Sequence, residues 1–180
     1  MIHSIHRHGI LPEVLIITPE LFEDHRGYFL EMYNRNEYTK ALSDFGYDID
    51  FVQDDASVST KNVIRGIHGD SNTFKLVQCV HGAVLIGVVD ARPESPNYLK
   101  HFTLVINEHN RIQVLIPARF GNSYRCLTEQ CLFYYKQSTY YQGAEHQFTL
   151  RLDDPKIGID WGIHLDNAFI SKRDKEAEFL

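Results

Sequence analysis

Residues 62 to 75, NVIRGIHGDSNTFK, crowd Arg65, His68, Asp70 and Lys75 among glycines and short apolar side chains. An imidazole with the ordinary pKa of about 6.5 can take a proton at neutral pH, and a nearby lysine can stabilise the negative charge that results. Ten histidines make any one of them unremarkable, and most strand histidines are half-buried with both ring nitrogens satisfied; the charged neighbours single out His68. Strand alternation puts His68 on one face with Ile64, Gly66 and Asp70, a polar and wet face if the strand runs on through Asp70. A second stretch, residues 120 to 141, FGNSYRCLTEQCLFYYKQSTYY, supplies phenols. Tyr134, Tyr135, Tyr140 and Tyr141 can pack a core, yet a phenol in a cavity can also donate a proton opposite a base. Tyr135 is in phase with Phe133 and Gln137, and Tyr134 with Lys136; spacing leaves open which pair of faces points inward. Arg26 and Arg65, each followed by glycine, offer a guanidinium fork with close backbone approach, which suits a diphosphate.

The two-residue spacing of His68 and Asp70 also fits a strand that binds metal. A third and fourth ligand would have to come from the later stretch, where Asn122 and Ser123 are poor ligands and no histidine lies between His109 and His146. No metal centre is expected. Cys79, Cys126 and Cys131 form no CxxC pair and leave one over if two are bridged, so they read as small buried hydrophobes in a reducing compartment.

The elements that must hold these groups are mostly short strands. EVLIIT (13 to 18) is apolar and β-branched and stops at Pro19; YFLEMY (28 to 33) alternates after a DHRG turn. NEYTKALSDF (36 to 45) has helical spacing with Asn36 as its N-cap. From Phe51 the chain reads FVQDDASVS, VIRGIHG, FKLVQCV, AVLIGVVDA, HFTLVIN, RIQVLIP, SYRCL, CLFYYKQS and QFTLRL, separated by turn residues such as His81-Gly82 and Ser95-Pro96-Asn97. No helical pattern long enough for crossovers intervenes, so the expectation is an all-β jelly-roll sandwich with a few short peripheral helices. Ser171 caps a closing helix over 171 to 179. The 180 residues make one domain, 1–180. A net charge of -6 without like-charge runs recommends neither nucleic acid nor an anionic membrane surface. The first ten residues lack the apolar stretch of a secretory signal, so the expected location is the cytoplasm.

Taken together, DHRGYFLEMY, FVQDDASVSTKNVIRGIHG, KLVQCVHGAVLIGVVDARPESPNYLK, LIPARFGNSYRCL, YYKQSTYY, DDPKIGIDW and ISKRD resemble, in order, the dTDP-4-dehydrorhamnose 3,5-epimerase family. Those proteins are cupin-type sandwiches acting on nucleotide-linked 4-keto-6-deoxy sugars for surface polysaccharides. The resemblance implies His68 as general base, Tyr135 as acid, Lys75 beside the sugar ketone and Asp174 as the carboxylate that orients the base. It implies Arg65 at the diphosphate, Gln53 near the nucleotide, and Asn122 where the family has a histidine near the phosphates. It also implies a homodimer with shared sites, because Arg26, Phe29 and Glu31 belong to a segment that reaches into the neighbouring subunit. Removing a hydrogen beside a ketone and returning one from the opposite face needs no redox cofactor and no metal.

The chain departs from the family's common motifs at Arg65-Gly66-Ile67-His68-Gly69-Asp70, at Gln53-Asp54-Asp55 and at Gly121-Asn122-Ser123. These versions look more like relatives that process GDP-linked 4-keto-6-deoxy sugars or heptoses. Inversion at carbon 3, carbon 5 or both is compatible with the same base and tyrosine. A 3,4-ketoisomerase of this fold and a sugar-nucleotide binding module without turnover are the alternatives.

Overall fold

A computed structural model describes all residues, 1–180. Its strands are β1 (Ile2–Arg7), β2 (Leu15–Pro19), β3 (Leu21–Asp24), β4 (Gly27–Leu30), β5 (Gln53–Thr60), β6 (Val63–Gly69), β7 (Lys75–His81) and β8 (Ala83–Asp90). They continue with β9 (His101–Asn107), β10 (Gln113–Ile116), β11 (Phe120–Cys126), β12 (Gln130–Gln137), β13 (Phe148–Thr149) and β14 (Phe169–Ile170). The two α-helices are short, α1 (Arg35–Ser43) and α2 (Lys172–Lys175). One sheet runs β1-β2-β10-β7-β12-β5 and faces a second, β13-β6-β11-β8-β9, with β14 added parallel to β6. This is the expected jelly-roll sandwich, with β3 and β4 standing apart as a hairpin.

Between the sheets lies the main core, where Val77 and Phe133 from the first sheet meet Ile86, Val88, Phe102 and Tyr124 from the second. Two further clusters cover the outer faces. Tyr38, Leu42 and Ile49 cap Leu15, Ile17, Leu76 and Leu115 on one side; the segment from Leu150 to Trp161 covers Ile64, Ile67 and Val89 on the other. Covering both faces explains why AVLIGVVDA is apolar without alternation. Phe133 is 1% exposed and stacks on Tyr124 with ring centroids 4.2 Å apart. Phe133→Ala is expected to cost about 3–5 kcal/mol, read as a drop in denaturation midpoint at unchanged m-value.

Several expectations change. β1, a polar strand with no clear alternation, pairs antiparallel with β2 and was not legible in the sequence. Asn34, not Asn36, caps α1: its extended backbone lets the side-chain oxygen accept from the Glu37 N–H at 3.4 Å. QFTLRL yields only the two-residue β13, and the closing helix is a single turn, although Ser171 does cap it. All three cysteines are buried, and burial pushes the Cys79 thiol up to about 12, away from thiolate reactivity. No helix is long and apolar enough to cross a membrane.

Candidate active site

The alternation expected through His68 fails at Gly66. Asn122 pairs with His68 and Tyr124 with Arg65, so a two-residue step on β11 opposes three residues of β6. This is a bulge. It sends both Ile64 and Ile67 to the outer cluster, leaving Arg65 and His68 to line the space between the sheets. Gly66 is required there: its φ is +109°, and a Cβ would sit 2.5 Å from the Asn122 carbonyl oxygen. Asp70 leaves the strand altogether and accepts from the Asn72 and Thr73 N–H groups at 2.9 and 2.7 Å, closing a turn.

His68 is held by a residue 106 positions away. Pairing of β14 with β6, Phe169 to Val63 and Ile170 to Ile64, brings the chain alongside, and the Ser171 cap turns it into α2. Asp174 then accepts from His68 Nε2 at 2.6 Å and from the Gly66 N–H at 3.4 Å, with the carboxylate 3% exposed. Burial opposes its ionisation, but the bond to His68, backed by Ser171 and Gly66, keeps the carboxyl below the usual range. An anionic carboxylate only accepts, so Nε2 carries a hydrogen, and in the neutral imidazole this leaves the lone pair on Nδ1. Because the folded-state pKa of Asp174 lies below its value in the unfolded chain, its ionisation stabilises the fold above the ordinary carboxylate range. That contribution fades as pH falls through the folded value. Asp174→Asn is therefore expected to flatten the acid side of a plot of thermal midpoint against pH, and an unchanged acid slope would contradict this assignment.

Across the gap, β12 directs Phe133, Tyr135 and Gln137 inward, which resolves the phase left open by spacing. Tyr134 points to the outer side, where it meets Lys136. Burial, reinforced by Asp55, raises the Tyr135 phenol to about 12, so it is protonated at neutral pH. Lys75, 8% exposed, opens β7 directly opposite Gln137, and burial lowers its pKa. Arg65 donates to Ser59 Oγ at 3.0 Å and the Val58 carbonyl at 3.3 Å; Ser59 in turn bonds the Tyr124 hydroxyl. Asn122 lines the same wall, and its Oδ1 is buried without a partner.

His68, Tyr135, Lys75, Asp174, Arg65 and Asn122 thus border one cavity of about 630 Å³. Gln53 does not line it: the amide donates to Asp55 and accepts from the Tyr141 N–H at 2.8 Å. Arg26, Phe29 and Glu31 lie elsewhere, because the β3–β4 hairpin stands off both sheets. Arg26 is paired with Asp24, Glu31 with the N-terminal ammonium, and Phe29 is 68% exposed. Arg173 and Gln137 also line the cavity and were missed, although Arg173 adjoins Asp174 and Gln137 shares the phase of Tyr135.

Fold and cavity define a cupin-type sandwich with a polar-lined cavity between its sheets, faced by an oriented imidazole, a phenol and a lysine. The sequence profile described as dTDP-4-dehydrorhamnose 3,5-epimerase matches residues 9–180. The chain is 38% identical over 154 residues to the dTDP-4-dehydrorhamnose 3,5-epimerase of Escherichia coli, covering 84% of this chain and 81% of that protein. Among solved structures it is similar to a dTDP-6-deoxy-D-glucose-3,5-epimerase from Legionella pneumophila in complex with dTDP-4-keto-L-rhamnose. The TM-score is 0.90 at 31% identity, over 98% of this chain and 92% of that one. A 3'-monoepimerase from Streptomyces bikiniensis in complex with dTDP-quinovose matches with TM-score 0.86 at 27% identity, over 97% and 86% of the two chains. The chain belongs to the dTDP-4-dehydrorhamnose 3,5-epimerase family, and so to the isomerases that epimerise sugar nucleotides. These relatives are named for dTDP-linked sugars, so the GDP preference expected from the motif departures finds no support.

Proposed function

We propose that residues 1–180 act as one cytoplasmic domain that inverts carbon 3 and carbon 5 of a dTDP-linked 4-keto-6-deoxy sugar for surface polysaccharides. His68 Nδ1 takes the hydrogen beside the ketone, and the electron pair moves onto the ketone oxygen as an enolate. Lys75 stabilises that oxygen from a buried position, where a placed charge counts for more than in solution. Tyr135 returns a proton to the same carbon from the opposite face, and solvent then restores imidazole and phenol. Asp174 holds the imidazole in the tautomer that leaves Nδ1 free. Arg65 and Asn122 receive the diphosphate, Gln53 lies toward the nucleoside, and Arg26, Phe29 and Glu31 complete the site of a second copy in a homodimer.

The observation that carries this reading is that the His68–Asp174 pair and the Tyr135 phenol border one cavity from opposite sheets. The exposed hairpin, with Phe29 unburied by its own chain, supports the shared-site dimer. Incubation in D₂O with dTDP-, GDP- and CDP-linked 4-keto sugars, followed by NMR, tests it. Deuterium at carbons 3 and 5 of the dTDP sugar with inversion is expected; absence of exchange with all three would refute the reading. Migration of the ketone to carbon 3 would make the protein a ketoisomerase, and binding without exchange a binding module.

A further inference from the structure

Lys75 is buried, and its Nζ has no hydrogen-bond or ion-pair partner within the chain. Burial weighs most and disfavours its charge; no hydrogen bond or ion pair offsets that, and among the surrounding charges Asp70 and then Asp55 favour the ammonium while Arg173 opposes it. The two carboxylates are themselves held by neutral donors, not by cations. Asp55 accepts from Gln53 Nε2 at 2.8 Å and from Gln137 Nε2 at 2.6 Å, and Asp70 accepts from two backbone N–H groups. Donors of that kind stabilise a carboxylate while leaving its charge uncancelled.

Strand register converges these groups. Gln137 stands opposite Lys75 on β7 and opposite Gln53 on β5, while Tyr135 stands opposite Asp55. Successive inward positions of three adjacent strands therefore read Gln53, Gln137, Lys75 in one row and Asp55, Tyr135, Val77 in the next. Gln137 links the rows, since its amide reaches Asp55. Asp70 comes from the turn just ahead of β7. The other titratable groups around the cavity are Arg65 and His68 on β6, Tyr124 on β11, Tyr141 beyond the end of β12 and, on α2, Asp174, Arg173 and Lys175; Asp174 is committed to His68.

We propose that Asp55 and Asp70 are positioning residues for the epimerisation, counter-charges that keep Lys75 an ammonium and, for Asp55, keep Tyr135 a phenol. The inference rests on the proposed roles of Lys75 and Tyr135 and deepens them. A buried lysine without compensation tends to shed its proton, and a neutral amine is a poorer partner for an enolate. The carboxylates touch no reacting atom; they act through the two residues that do.

The test is the pH dependence of kcat and KM for the full-length protein with the dTDP-linked 4-keto-6-deoxy sugar. Asp55→Asn and Asp70→Asn keep an oxygen for the donors around them and remove only the charge. Each is expected to move the alkaline limb of kcat to lower pH and to lower kcat by about tenfold at the wild-type optimum, with KM changed by less than about twofold. Asp55→Glu and Asp70→Glu are expected to restore the limb, and they serve as the readout if an Asn variant melts early. An unmoved alkaline limb in both Asn variants, or a rise in KM at constant kcat, overturns the inference. Lys75→Gln separates the levels: loss of turnover there with unmoved limbs in the Asn variants defeats this inference alone, whereas wild-type turnover in Lys75→Gln defeats the reading of the site.

Discussion

His68→Gln is expected to lower turnover of the dTDP-linked 4-keto sugar by about 10²- to 10⁴-fold and to end deuterium uptake from D₂O. Gln is the informative replacement because its amide retains an N–H donor within reach of Asp174 and lacks a basic nitrogen. Asp174, 3% exposed, would otherwise be left as a buried carboxylate without its partner, a change that costs stability for reasons unrelated to proton transfer. A thermal midpoint near that of the wild type, together with lost exchange, assigns the defect to the missing base. Exchange at the wild-type rate would remove His68 from the chemistry. Partial exchange at one carbon alone would mean that the two carbons are deprotonated by different groups.

Tyr135→Phe separates the two halves of the reaction. The base is intact, so the hydrogen beside the ketone should still wash out into D₂O, but the proton returned from the opposite face is missing. Inversion is expected to fall by about 10²- to 10⁴-fold while deuterium accumulates at the unchanged stereocentre. The phenol makes no hydrogen bond within the chain that its loss would leave open, so stability should change by no more than about 0.5 kcal/mol. Retained inversion would oblige another donor on the Tyr135 side, and Tyr124 and Tyr141 are the other phenols lining the cavity. NMR of the product mixture reads washout and configuration in one experiment.

Much of the fold was legible because strand patterning and turn chemistry act locally. Pro19, His81-Gly82 and Ser95-Pro96-Asn97 punctuate the chain wherever it lies, and the absence of helical spacing between strands rules out a parallel sheet without reference to any contact. The expectation failed where two local signals competed. Gly66 inside VIRGIHG fits a small strand residue as well as the mark of a bulge, and its neighbours in sequence do not choose between them. That one insertion decides whether Arg65 and His68 share a face. The helix cap shows the same competition: Asn34 and Asn36 both fit the N-cap, and Glu37 three residues after Asn34 is the signal that favoured the former.

Composition and spacing determined that the chain forms short antiparallel strands and that an imidazole, a lysine and phenols occur in two polar stretches. They could not determine that these stretches meet. His68 and Asp174 are joined only because β14 lies along β6, and Tyr135 confronts them only because β12 belongs to the opposite sheet. Whether Tyr134 or Tyr135 turns inward follows from the register of β12 against β5 and β7, which the pairing of three strands sets together. The physical reason is that side-chain type is a property of one position. The charge environment that makes such a group a base, an acid or a counter-ion belongs to neighbours contributed from up to 106 residues away.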